Sequence, residues 1–341
     1  NQRVKAMIDA NIDIPIVCKQ LTGYTEKEKK AINVKANIPS GEWDYDILDS
    51  WSDDLNTFDF NDKEFNIEKI EEVEGEDDIP EVNETTVKLG DLYKLGRHKL
   101  LCGDSTKEEC YEKLLNGNKI DMIFTDPPYS VNYTKKSKEV LKSKNYVEIK
   151  NDNMSTKKTA ETIWKPVFAN MYNYAKDSCS YYMTMPQGGD QMMMMMMMMS
   201  ENWQVKHELI WVKETPVFSM GRLDYDYKHE PIMYGWKKKR EWYGNGEHTK
   251  SVWQIKRTEN KLHPTMKPVA LIENAILNSS KKDMNIMDVF GGSGSTLIAC
   301  EKQGRNAYLI ELDEHYCQVI IDRYKTFTGK DDVKKIRNIN E

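Results

Sequence analysis

The chain has 341 residues, 30% of them charged and 39% hydrophobic, with a net charge of −6. It carries no run of about 18 apolar residues that could cross a bilayer and no signal peptide at its start. Its six cysteines have no CxxC spacing, which excludes a zinc ribbon or a disulfide framework and reads as reduced thiols of a cytoplasmic protein. A start at Asn1 rather than Met reads as that of a fragment.

The charge is uneven. Residues 53–91 hold 15 acids against three lysines, which leaves 46 basic against 40 acidic residues elsewhere. A moderately basic body behind an acidic segment is compatible with a polyanionic substrate.

Residues 1–52 read as the tail of a small α/β module: a helix over Gln2–Ala10, a strand over Ile14–Val17 and a charged helix over Thr25–Val34. Residues 53–86 are acidic and poor in core residues, so a linker is expected. From Val87 the pattern changes. Leu92–Leu101 is a hairpin turning at Gly96 and running into Cys102-Gly103-Asp104-Ser105. A helix over Lys107–Leu115 and a strand over Ile120–Phe124 complete a parallel βαβ unit. That strand ends in Asp126-Pro127-Pro128-Tyr129. Two prolines can continue neither a sheet nor a helix, so an acid and an aromatic are displayed on a stiff turn at a strand's carboxyl end. Open α/β sheets bind ligands at that edge.

Residues 130–158 form a long polar loop with Lys135 and Lys136 in it. Thr159–Ala175 is predicted helical, with Trp164, Phe168 and Tyr172 on one face, and Ser178–Met183 extended. Met192–Met199, eight methionines in a row, is expected to be a buried helix. A strand follows over Trp203–Lys213. Residues 214–262 interleave aromatic and basic side chains, among them Arg222, Tyr225, Tyr227, His229, Lys237, Arg240, Lys256 and Arg257. Such a mixture suits phosphate pairing and base stacking; the alternative is an irregular insertion whose aromatics simply pack. His229-Glu230 lacks the second histidine of a zinc-protease helix, and no metal is expected.

His263–Pro268 leads into a helix over Val269–Ser279. A strand over Met284–Val289 then enters the turn Phe290-Gly291-Gly292-Ser293-Gly294-Ser295-Thr296, followed by a helix over Leu297–Lys302 and a strand over Asn306–Ile310. Glu311 follows 20 positions after Gly291, the arrangement of a nucleoside-binding βαβ unit whose acid takes the ribose hydroxyls. The turn is neither GxGxxG nor GxxxxGK[ST], so a phosphate-free nucleoside such as S-adenosylmethionine fits better than a dinucleotide or triphosphate. A helix over His315–Thr326 precedes what reads as a charged tail. The sheet needs a strand beyond the one ending at Glu311, and the hairpin strand ending at Asp104 is the one available. The expected architecture is therefore a circularly permuted, mostly parallel doubly wound sheet of Rossmann type over residues 87–330.

In this order, DPPY (126–129), an aromatic and basic region, HPTMKP (263–268), FGGSG (290–294) and LIELD (309–313) resemble the β-group of DNA amino-methyltransferases. Residues 1–52 resemble the later half of a ParB-like domain. The first resemblance implies S-adenosylmethionine as cofactor, held by Asp104, Thr265, Lys267, Asp288, Phe290, Gly291, Gly292, Ser293, Gly294, Ser295, Thr296, Glu311 and Asp313. It implies catalysis by Asp126, Pro127, Pro128 and Tyr129, with residues 214–262 as the target-recognition region. Duplex DNA is then the substrate, with adenine N6 the expected amine and cytosine N4 the close rival. An RNA or protein amide methyltransferase, and a non-catalytic ParB-like DNA-binding module, are the further alternatives. A second copy of the chain and a separately encoded restriction endonuclease are the partners such an enzyme admits.

Overall fold

The computed structural model describes residues 70, 73–129, 154–214, 225–256 and 266–338, with positions 25 and 29 in isolation. The ParB-like reading of residues 1–52 lies outside them, apart from those two positions. The described fold belongs to a unit spanning Glu68–Glu341.

Its centre is one mixed sheet. The hairpin β1 (Asp91–Leu95) and β2 (His98–Cys102) turns at Gly96, as expected. It is followed by α1 (Glu108–Leu115) and β3 (Ile120–Thr125). Next come α2 (Thr156–Thr159), a π-helical turn (Ala160–Trp164), α3 (Lys165–Tyr174), β4 (Ala175–Thr184), α4 (Gly189–Ser200) and β5 (Gln204–Val212). Then come β6 (His229–Trp236), β7 (Val252–Gln254), α5 (Val269–Ser279), β8 (Asn285–Asp288), α6 (Ser295–Gln303), β9 (Asn306–Glu311), α7 (Glu314–Thr328) and β10 (Val333–Asn338). The strand order is β10-β1-β2-β9-β8-β3-β4-β6-β5-β7. As expected, β2 lies beside β9, parallel to it, although it comes two hundred residues earlier in the chain.

Burial on alternate residues splits the strands between two cores. Leu100, Met122, Phe124, Ile286 and Leu309 face α5, α6 and α7; Leu101, Ile123, Met287 and Ile310 face α1, α3 and α4. This is a doubly wound α/β fold, with helices on both faces of a mostly parallel sheet.

Three expectations fail. The tail after residue 326 supplies a strand: β10 adds antiparallel to β1 at the sheet's edge. The described part of residues 214–262, positions 225–256, is not an insertion outside the sheet, because β6 runs between β4 and β5 and β7 extends the far edge. Pro231 and Gly235 disguise β6 in the sequence. Pro231 needs no N–H because it sits one residue past the end of the β4 pairing, where its carbonyl accepts from Met185. Gly235 is required because a Cβ there would stand 1.9 Å from the Gln204 carbonyl. Third, residues 73–78 are not a free linker. Glu76 is buried, its carbonyl accepts from Arg323 of α7 and its carboxylate pairs with Lys302 of α6, while Asp77 accepts the Val269 N–H.

The methionine helix is buried on one side only. Met195 and Met199 are enclosed, whereas Met193 and Met197 are 60% and 62% exposed. Pairs four apart share a face, so packing, not composition, makes this helix amphipathic.

Candidate active site

The carboxyl ends of β2, β9, β8, β3, β4, β5 and β7 share one edge of the sheet. From β8 the chain winds outward to β9, and from β3 it winds the other way to β4, so the crevice between β8 and β3 is the switch point where such sheets take ligands. Asp126–Tyr129 leaves β3 on one side of it and Phe290–Gly294 leaves β8 on the other. Thr125 Oγ1 donates to Asp288 Oδ1 at 2.8 Å and ties the two strand ends together.

Two groups from the second core hold the proline turn. Trp164 Nε1 donates to the Pro128 carbonyl at 3.0 Å and Gln191 Nε2 to the Tyr129 carbonyl at 3.0 Å. Trp164 lies in the π turn, which opens where Pro166 has no N–H to return to the preceding turn. The Pro127 carbonyl has no donor among the described residues, although the residue itself is buried.

Asp126 is half-buried and both its oxygens are engaged. Tyr129 Oη lies 2.5 Å from Oδ1, and Thr184 Oγ1 also donates to Oδ1. The Lys267 ammonium lies 2.6 Å from Oδ2 and 3.4 Å from Glu230 Oε2. Glu230 Oε1 in turn pairs with Lys213. Burial alone would lower the Lys267 pKa, but the Asp126 and Glu230 carboxylates outweigh it and hold the ammonium charged. Burial would raise Glu230, and the two lysines overcome it and hold the carboxylate below its usual range. Tyr129 is pushed well up, by burial first and by Asp126 next, so it stays a phenol. Glu230, Lys213 and Thr184 are missing from the sequence reading. No local signal marks them: β6 runs antiparallel to β4, and that pairing brings its first residues, His229 and Glu230, to the reactive edge.

Across the crevice, Glu311 accepts from Gly292 N at 2.8 Å and Asp313 N at 2.8 Å, one bond to each oxygen. Burial pushes its pKa up to about 7 against the pull of those N–H groups. Each oxygen keeps a lone pair, so a half-buried carboxyl beside a glycine turn fits a ribose diol. Of the turn itself, Phe290 and Gly292 reach solvent, whereas Gly291, Ser293, Gly294, Ser295 and Thr296 are buried.

These buried residues shape the turn and do not line it. Gly294 has φ +85° and a Cβ there would press on Ile320 of α7, so this glycine is needed for packing rather than for close approach of a ligand. Ser293 and Ser295 are bonded by Arg323, and Thr296 donates to Asp288. Asp288 also receives the Phe290 N–H, and burial raises its pKa to about 7. Asp104 follows β2 at the same edge and is partly occupied by Thr106, which donates to Oδ1 through its N–H and its hydroxyl.

Among the predicted DNA contacts, Tyr225 (81% exposed), Tyr227, His229 and Lys256 lie at or beside the reactive edge. Lys237 and Arg240 do not. They follow the far end of β6, at the edge opposite the reactive one, where Lys237 Nζ donates to the Tyr172 and Ala175 carbonyls. Tyr234 and Trp253 of this region pack in the core, as the alternative reading expected of its aromatics, though within the sheet rather than in an insertion. Lys135, Lys136, Arg222, Arg257 and Thr265 lie outside the described residues. No group of His, Cys, Asp and Glu that could hold a metal occurs among the described residues, and no described helix is long and apolar enough to cross a membrane.

A doubly wound sheet with an acid-Pro-Pro-Tyr turn and a glycine turn facing each other across the switch point defines the chain as a Rossmann-type methyltransferase. Residues 120–322 match the N6/N4 family of DNA methylases, and the chain belongs to that family. It is 28% identical over 231 residues to the Type II methyltransferase M2.MboI of Moraxella bovis, covering 62% of this chain and 82% of that one. It is 26% identical over 248 residues to the Type II methyltransferase M.HinfI of Haemophilus influenzae, covering 64% and 67%. Among solved structures, the PvuII DNA methyltransferase (cytosine-N4-specific) superposes with a TM-score of 0.51 at 15% identity over 72% of this chain and 98% of that one, a likeness of fold alone.

Proposed function

We propose that the protein transfers a methyl group from S-adenosylmethionine to the N6 amine of adenine, in a base turned out of duplex DNA. The observation that carries this reading is the Asp126 carboxylate, fixed at the switch point opposite Glu311 through Oδ1 by Thr184 and Tyr129. An adenine amine is a poor nucleophile because its lone pair is delocalised into the ring. Asp126 and the Pro127 carbonyl accept its two N–H bonds, which favours a pyramidal nitrogen with its lone pair directed at the methyl group. Asp126 thus positions the amine and forms no bond to carbon. The Tyr129 ring offers a face to a base taken out of the stack. When bound, S-adenosylmethionine supplies the electrophilic methyl group on its sulfonium; Glu311 would hold its ribose hydroxyls, and Phe290 and Gly292 would wall its site.

An Asp rather than a Ser at the head of the tetrapeptide resembles the adenine-directed members of the family. Tyr225, Tyr227, His229 and Lys256, with Lys135, Lys136, Arg222 and Arg257, are the proposed DNA contacts, and a DNA substrate would place the enzyme in the cytoplasm. The test is incubation with methyl-labelled cofactor and unmethylated DNA. Label recovered as N6-methyladenine is the expected result. Label on cytosine N4 alone overturns the base assignment, and label only on RNA or protein overturns the substrate.

A further inference from the structure

Both oxygens of the Asp126 carboxylate are engaged in this structure, which poses a problem for any enzyme that presents that carboxylate to an amine. Oδ1 is held by Thr184 and Tyr129, and Oδ2 by Lys267 at 2.6 Å. The amine nitrogen gains positive charge as it is methylated, so an ammonium fixed on the same carboxylate opposes that charge even though Oδ2 keeps a second lone pair.

The neighbouring carboxylate offers a way out. Glu230 Oε2 is fully enclosed and has no hydrogen-bond donor among the described residues. A buried acceptor without a donor is costly. Lys267 Nζ stands 3.4 Å away, already an ion pair and close enough to become a full hydrogen bond. Glu230 Oε1 is pinned by Lys213, whose backbone N–H is tied to the Lys228 carbonyl at 2.8 Å, so this carboxylate stays in place. Asp126 keeps its orientation through Oδ1 whether or not Lys267 is on Oδ2.

We propose that Glu230 is a positioning residue that receives the Lys267 ammonium when the target amine enters, taking its positive charge off Asp126 Oδ2 as that oxygen accepts the amine N–H. A shift of roughly half an ångström turns the 3.4 Å contact into an ordinary charge-assisted bond, and a swing of about one ångström takes the ammonium off Asp126 Oδ2 as well. The exchange moves no proton and leaves two lysines shared between two carboxylates. Glu230 touches neither the base nor the cofactor and acts through Lys267. The inference rests on the amino-methyltransferase reading above and specifies how its carboxylate is made available.

The experiment compares wild type, Glu230→Gln, Lys267→Met and the double variant in steady-state transfer to DNA at saturating cofactor, with thermal unfolding as the check on folding. Glu230→Gln keeps an acceptor for Lys213 and removes the charge that draws Lys267 away. It should lower kcat about tenfold and leave KM for DNA within about twofold. Removing Lys267 in that background should make the loss no larger. An unchanged kcat in Glu230→Gln, or losses that multiply in the double variant as for independent structural damage, overturns the proposal. A second readout is a crystal structure of the wild-type complex with target DNA and S-adenosylhomocysteine. Lys267 Nζ is expected about 2.8 Å from Glu230 Oε2 and off Asp126 Oδ2; an ammonium still on Asp126 overturns the exchange. A wild type that labels no DNA overturns the methyltransferase reading itself, whereas a wild type that labels DNA no faster than Glu230→Gln overturns only the role of Glu230.

Discussion

The two sides of the crevice bury their acids in opposite ways. On the β8–β9 side, Asp288 and Glu311 are satisfied by hydroxyls and backbone N–H groups, with no lysine or arginine bonded to either carboxylate among the described residues, and burial raises both to about 7. On the β3–β6 side, Asp126 and Glu230 share Lys267 and Lys213, and Glu230 is held ionised. The first side is built to hold a polar ligand through hydrogen bonds, and the second to place a full negative charge where an amine reacts. A buried ion pair gives weak net stability, and breaking it leaves a costly lone charge. Its presence at the reactive edge therefore points to chemistry rather than to folding.

The largest effect that would separate the two sides is at Asp126. Asp126→Ala should lower methyl transfer by about a thousandfold while S-adenosylmethionine affinity, measured by calorimetry, changes little. Retained transfer would remove the distinction. Next is Gly235→Ala, which tests whether the β3–β6 side depends on the close approach of β5 to β6. The 1.9 Å clash with the Gln204 carbonyl should cost about 3 kcal/mol in urea unfolding. The methionine helix behind Tyr129 gives a smaller contrast within one residue type. Met195→Ala should cost about 2 kcal/mol and Met197→Ala less than about 0.5, and equal losses would contradict the one-sided burial.

The last contrast, on the β8–β9 side, is read as a pH dependence. A buried Asp288 binds its proton more tightly folded than unfolded, so its contribution to stability is present at low pH and is lost as pH rises from about 4 towards about 7. Asp288→Asn, which resembles the protonated acid, should flatten that part of the fall in Tm with pH. A curve parallel to wild type would show that Asp288 ionises freely.

The same contrast explains what was legible in the chain. Strands β8 and β9 are parallel and covered on both faces, so they read as apolar runs, and their ends lie within a residue of expectation. In the other half, β6 carries a proline and a glycine that mark a turn in any local reading. Both are acceptable only because of where β4 ends and how closely β5 approaches. Eight identical methionines have no periodicity to read, so only the packing of α4 against the second core could choose Met195 and Met199.

By itself, the sequence determined the proline turn at 126–129, the glycine turn at 290–296, the acid at 311 and the return of the N-terminal hairpin to the sheet. These follow from local backbone restriction, short-range periodicity and the need to bury each strand. Only the tertiary structure decided that Glu230 and Lys213 join Lys267 at Asp126, that Lys237 and Arg240 face the opposite edge, and that Asp288 and Thr296 support the glycine turn from within. Those outcomes depend on strand direction and register across the sheet, where residues far apart in the chain meet and no local pattern records the meeting.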